Sequence, residues 1–295
     1  MKKLILVVLI FISVVLLFSF SSPHIRFSFA NPFPTGINPV GNNSNGINCD
    51  IDNNAFSSGE ELVYQTSYHW GFIWLDAGEV VFKVVPGDHK GIPCYKISGI
   101  GGTYPSYDWI YKVRDRFECW VDTATLKPFR YLRDVKEGGR YFYNECFSNF
   151  TKLKAYCVTK EKNKVRLDTV AITSCSFDPL TMIYYSRNVD FSKCKVRDTV
   201  PISLFLDNKI YSLYLRYLGK EKLKLDEKNT FNCIKFSPKL VEGTIFKGGE
   251  GMTVWASDDK NKIPLFVEAP ILVGTVRAQI MRWSGLKNKF EAKVQ

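Results

Sequence analysis

A period of two runs through this chain and sets what it can fold into. In residues 113–122, Val113, Asp115, Phe117, Cys119 and Val121 fall on one side, opposite Arg114, Arg116, Glu118, Trp120 and Asp122. Side chains of a strand alternate between faces, so this pattern asks for a strand with two different surroundings. The alternation recurs at Leu62, Tyr64, Thr66 and Tyr68, at Val80, Phe82 and Val84, and at Tyr141, Tyr143, Glu145 and Phe147. Pro86-Gly87-Asp88, Gly101-Gly102 and Glu137-Gly138-Gly139 punctuate these runs. Short runs with such punctuation point to an antiparallel sheet system. Aromatic residues make up 15% of the chain, which suits half-buried pleated surfaces.

The second half continues the pattern. Asp207-Asn208 sits where a two-residue hairpin turn fits, and Tyr211, Leu213, Leu215 and Tyr217 alternate beyond it. Further strands are expected over 231–236, 252–256, 264–268 and 275–283. One helix stands out: Asp178 is placed as N-cap and Pro179 at the first helical position. Leu180, Ile183, Tyr184 and Arg187 then share a side. The expected fold is all-β, mainly antiparallel: a curved sheet, open barrel or sandwich, with one short helix near 179–187 plugging an open end.

Residues 1–30 carry Lys2 and Lys3, an apolar run over 4–20, and Ser28-Phe29-Ala30 at a cleavage-like position. This reads as an export signal, with an uncleaved inner-membrane anchor as the alternative. Residues 31–55 are rich in Asn, Gly and Pro and read as a flexible linker. A single β domain is expected over 56–286 and a tail over 287–295. The expected location is the periplasm or outer envelope. Net charge is +11, and loss of Lys2, Lys3 and Arg26 with the leader would leave +8. A basic envelope protein can make peripheral contact with a membrane. The bases are interspersed with acids, so nucleic acid is not an expected partner.

Metal and cofactor chemistry lack their signatures. The histidines are His24, His69 and His89, and none of the eight cysteines forms a C-x-x-C pair. No metal site, cofactor or catalytic residue is assigned. Gly99-Ile100-Gly101-Gly102 does not open a helix and reads as a loop or bulge rather than a phosphate cradle. Asp258-Asp259 reads as a turn. Asp108, Asp115, Glu118 and Asp122 cluster as a carboxylate group would, but neighbouring arginines make solvated cross-strand ion pairs the simpler account.

Eight cysteines in an exported chain suggest disulfides. Strands around 141–147 and 153–159, with a turn centred near residues 150–152, would bring Cys146 and Cys157 opposite each other, within reach of a bond. A one-residue slip would put them on opposite faces. The aromatic groups are the main positive clue to function. Tyr68, Trp70, Trp74, Tyr107 and Trp109 are candidates to rim a cavity for an apolar or sugar ligand, against ordinary core filling.

Four stretches carry a family resemblance: Phe56 to Tyr64 with Ala77-Gly78-Glu79; Tyr111 to Asp115 with 121–128; Asp178-Pro179-Leu180 through Tyr184, Tyr185 and Arg187; and 255–259 with Ile263-Pro264-Leu265 and Val273-Gly274. In this order they resemble the exported bacterial family catalogued as domain of unknown function 3108. The resemblance implies a mainly antiparallel envelope protein and brings no catalytic residues. The expected function is a non-catalytic binding or carrier protein for an apolar or envelope-derived ligand. A protein–protein interaction or assembly module without a cavity is the alternative, and a hydrolase comes third.

Overall fold

The structure, a computed structural model, describes residues 51–241, 249–271 and 273–294. Residues 1–30, expected as an export signal, and most of the expected linker lie outside the described residues.

One sheet of fifteen strands dominates. Its first half is β1 (Glu61–Trp70), β2 (Ile73–His89), β3 (Ile92–Thr103), β4 (Val113–Asp122), β5 (Pro128–Glu137), β6 (Arg140–Asn149), β7 (Lys154–Glu161) and β8 (Lys164–Ala171). Then come β9 (Ser176–Phe177) and the helix α1 (Pro179–Ser186). The second half is β10 (Thr199–Leu206), β11 (Lys209–Lys224), β12 (Thr230–Pro238), β13 (Thr253–Ser257), β14 (Pro264–Pro270) and β15 (Thr275–Ser284). The order is β8-β7-β6-β5-β4-β3-β2-β1-β15-β14-β13-β12-β11-β10-β9. Every pairing is antiparallel except β9 with β10. The fold is thus all-β and mainly antiparallel, a curved open sheet with one short helix.

Two expected strand breaks are absent. Pro86-Gly87-Asp88 lies inside β2, and Gly99 to Gly102 lies inside β3. Gly87 and Gly102 serve close approach there. A Cβ on Gly87 would meet Cys94 Sγ at 3.1 Å, and one on Gly102 would meet the Val113 carbonyl oxygen at 3.1 Å. The Gly138 turn does hold: its φ is +52°, and the Tyr111 ring occupies the place where a Cβ would sit.

The two ends of the sheet meet through side chains. The β10–β11 turn has Asp207 and Asn208 at φ +48° and +59°, the left-handed pair a two-residue hairpin requires. From that tip Asn208 Nδ2 donates to Asp168 on β8 at 2.6 Å, and Arg133 on β5 pairs with Asp207 at 3.0 Å. Phe205 packs beside them against Cys146, Ala155, Cys157 and Ile172. Cys146 and Cys157 are directly opposed across β6 and β7 and form a disulfide.

Helix α1 lies within this curl. Asp178 caps it, accepting from the backbone N–H groups of Leu180 and Thr181 at 3.0 and 2.9 Å. Pro179, Leu180, Thr181, Met182, Tyr184 and Tyr185 are buried. Eight residues are too few to be stable alone, so cap and burial hold the helix. Its C-terminal Arg187 reaches Glu60 just before β1, and both side chains are sealed from solvent.

Both ends of the described region pack against the rest of the fold. The Arg187 guanidinium also donates to the Ala55 carbonyl, and Ala55 is buried. Residues 287–294, expected as a tail, return along β12: Asn232 N donates to Ala292 O at 2.7 Å, and Phe290 meets Phe231 and Trp283.

Candidate ligand cavity

The alternation of β1 sends Leu62 and Tyr64 inward, and that of β11 sends Leu213 and Leu215 inward. Between them and α1 lies a cavity of about 120 Å³. By this measure one water needs roughly 10–15 Å³, so the space exceeds a single solvent site severalfold. Its wall includes Phe82, Ile202, Leu204, Phe236, Leu240, Met252, Val254, Val267 and Ala278 from the strands and adjoining turns, with Met182, Ile183 and Tyr184 from the helix. Ile183, Leu213, Pro238, Lys239 and Val267 are only half-buried and mark where the cavity nears the surface.

The polar groups of the wall are mostly occupied. Tyr64 Oη donates to the Pro264 carbonyl at 2.8 Å, and Ser186 Oγ to the Ile183 carbonyl at 2.7 Å. Arg187 donates through Nη1 and Nη2 to both oxygens of Glu60, at 2.6 and 2.7 Å, and through Nε to the Asn261 carbonyl. The Tyr184 hydroxyl is different: it is buried and has no hydrogen-bond partner among the described residues. Burial pushes its pKa well up, so it stays a neutral phenol. The site offers apolar surface and no free charge in its depth. A smaller void of about 10 Å³ adjoins it beside Phe191 and Lys262, with room for one water.

The sequence candidates lie elsewhere. Tyr68 is buried, its hydroxyl donating to the Val273 carbonyl at 2.9 Å. Trp70 and Trp74 are exposed at the β1–β2 turn, where Trp74 stacks on His69 at 3.9 Å and under Arg277 at 4.7 Å. Tyr107 and Trp109 sit in the β3–β4 connection, Trp109 fully in the open. The cavity is lined by other residues, mostly apolar ones that sequence alone does not separate from ordinary core.

The acidic cluster divides. Asp108 pairs with exposed Arg114 at 2.6 Å, as expected, whereas Glu118, which pairs with Lys96 at 3.0 Å, is itself buried. Asp122 holds its own turn, accepting from Ala124 N and Thr125 N. Asp115 departs from the expectation: it is buried beside Glu137 and accepts from Lys136 N at 3.1 Å. Burial first, then the Glu137 charge, pushes its pKa up to about 9. Asp115 sits on the apolar side of the β4 alternation, which was the available signal. Asp258-Asp259 is a turn in which Asp259 accepts from Ser257, Asn261 and Lys262. Among the described residues no group of three or more His, Cys, Asp or Glu is arranged to hold a metal. Cys94, Cys119, Cys194 and Cys233 are free thiols.

The fold has a known counterpart. The chain is similar to the crystal structure of a beta-barrel-like protein of domain of unknown function DUF1849 from Brucella abortus, with a TM-score of 0.51 at 9% identity. That likeness covers 76% of this chain and 96% of the other and concerns the fold alone. No curated protein matches the chain. The sequence profile of one family matches residues 63–281, from β1 to β15, and the chain belongs to that family, described as "Protein of unknown function (DUF3108)".

Proposed function

We propose that this protein is a non-catalytic binding or carrier protein of the cell envelope that holds an apolar ligand in the cavity beside α1. The apolar lining of that 120 Å³ space is the observation that carries the reading. Sites for small molecules are mostly apolar concavities with few polar groups, and this wall has that character. With Arg187 neutralised by Glu60, a charged group gains nothing in the depth, so the ligand is an uncharged chain or ring system. The Tyr184 hydroxyl supplies one hydrogen bond to it. Among the described residues that line the space there is no nucleophile–base pair, which supports the binding reading over a hydrolytic one.

Native mass spectrometry of protein purified from its own envelope tests this. A retained apolar small molecule at one per chain is expected. Protein of bare polypeptide mass, together with no uptake of added apolar compounds, would contradict it.

A further inference from the structure

Four large aromatic side chains stand in solvent at one end of the sheet. Phe72 is 95% exposed and Trp109 83%, with Trp70 and Trp74 also exposed. They crown two neighbouring connections: β1 turns into β2 at Gly71-Phe72, and β3 passes to β4 through residues 104–112. The strand order places the next turns alongside, β5–β6 at Gly138-Gly139 and β7–β8 at residues 162–163. These carry bases. Lys112, Lys136, Arg140, Lys162 and Lys164 are all exposed there, against the exposed acids Asp76 and Glu161. Asp108 and Glu268 are neutralised by Arg114 and Arg277.

We infer that this end of the sheet is a docking surface for a lipid bilayer with anionic headgroups. Indole rings at loop tips suit the boundary between headgroups and acyl chains, having an apolar body and one N–H donor. The unbalanced bases lie beside the rings, where an anionic surface attracts them. Aromatic tips alone would fit a protein partner equally; their union with a flanking basic row is what selects the lipid surface. The docking surface goes beyond the carrier reading and holds whether or not the cavity is filled.

Bromolipid quenching tests it without interference from the leader, because all six tryptophans lie at position 70 or later. The full chain is mixed with vesicles of phosphatidylethanolamine and phosphatidylglycerol, some brominated in the acyl chain, and with phosphatidylcholine vesicles. Quenching of indole emission is expected with the anionic vesicles and much less with phosphatidylcholine. The triple variant Trp70→Phe, Trp74→Phe, Trp109→Phe should still bind but lose most of the quenching, since Trp120 and Trp283 sit near the opposite ends of β4 and β15 and Trp255 is in the middle of β13. Phe72→Ser with Trp109→Ser, or Lys136→Glu with Arg140→Glu, should weaken partitioning by roughly tenfold or more. These are exposed positions, so folding survives, and an unchanged circular dichroism spectrum checks it. Unquenched tryptophan in the wild type, equal partitioning of the serine variant, or self-association through the tips without lipid would each overturn the inference.

Discussion

Arg187 and Glu60 are bonded through both guanidinium Nη atoms and both carboxylate oxygens, 127 positions apart in sequence and buried from solvent. The pair ties the end of α1 to the start of β1, and Arg187 is part of the cavity wall. Removing one partner leaves a buried charge, which costs about 3–5 kcal/mol. Arg187→Met alone, or Glu60→Gln alone, is expected to lower stability by that amount in urea unfolding. The double variant Glu60→Leu, Arg187→Met should regain much of the loss. Equal, additive losses would show that the pair has no mutual role.

Asp115 sets a pH dependence. Its folded pKa, about 9, is raised above the ordinary 3.8, so the folded state holds this proton more tightly than the unfolded chain. The stability it confers is full below pH 3.8 and is lost as pH rises toward 9. Asp115→Asn keeps an acceptor for Lys136 N and gives Glu137 a donor. It should stabilise the protein at pH 8 by on the order of 2 kcal/mol and flatten the slope above pH 4. A less stable variant at pH 8 would contradict the burial account.

The Cys146–Cys157 bond closes a short loop, with a sequence separation of 11. In the chain-entropy model such a loop is worth about 3 kcal/mol. Cys146→Ser with Cys157→Ser should lose roughly that much. Peptide mapping without reductant should yield one cross-linked peptide holding both residues; two free thiols there would remove the hairpin register from the account.

What sequence made visible was local. The β4 alternation, the Asp178-Pro179 start of α1, the Asp207-Asn208 turn and the facing of Cys146 and Cys157 each rest on a few neighbouring residues. What stayed hidden depended on long-range assembly. Gly99 to Gly102 read as a break because glycine weakens strands, whereas here they continue β3, and a Cβ on Gly102 would crowd the Val113 carbonyl oxygen of the neighbouring strand at 3.1 Å. Phe290 and Ala292 lie in a polar, lysine-rich segment, and nothing nearby signals their return to β12. The cavity wall gathers apolar residues from β1, β2 and β10–β15, and only the curl of the sheet makes them a site rather than a core.

Tyr184→Phe separates the empty state from the filled one. Deleting a buried hydroxyl that lacks a protein partner removes its desolvation cost, so the ligand-free variant should be more stable by about 1 kcal/mol. The same change should weaken binding of an apolar ligand that carries a hydrogen-bonding group. Reduced stability of the ligand-free variant would mean that the hydroxyl is already satisfied.

The direct measurement of the carrier account is a titration with N-phenyl-1-naphthylamine, an uncharged apolar fluorophore, against the wild type and a cavity-filled variant. Ala278→Leu with Val267→Phe places extra side-chain volume into the space without changing its charge. The account predicts saturable binding at one site per chain in the wild type and its loss in the filled variant, whose unfolding stays cooperative. Absence of saturable binding in the wild type, or equal binding by a folded variant, would contradict it.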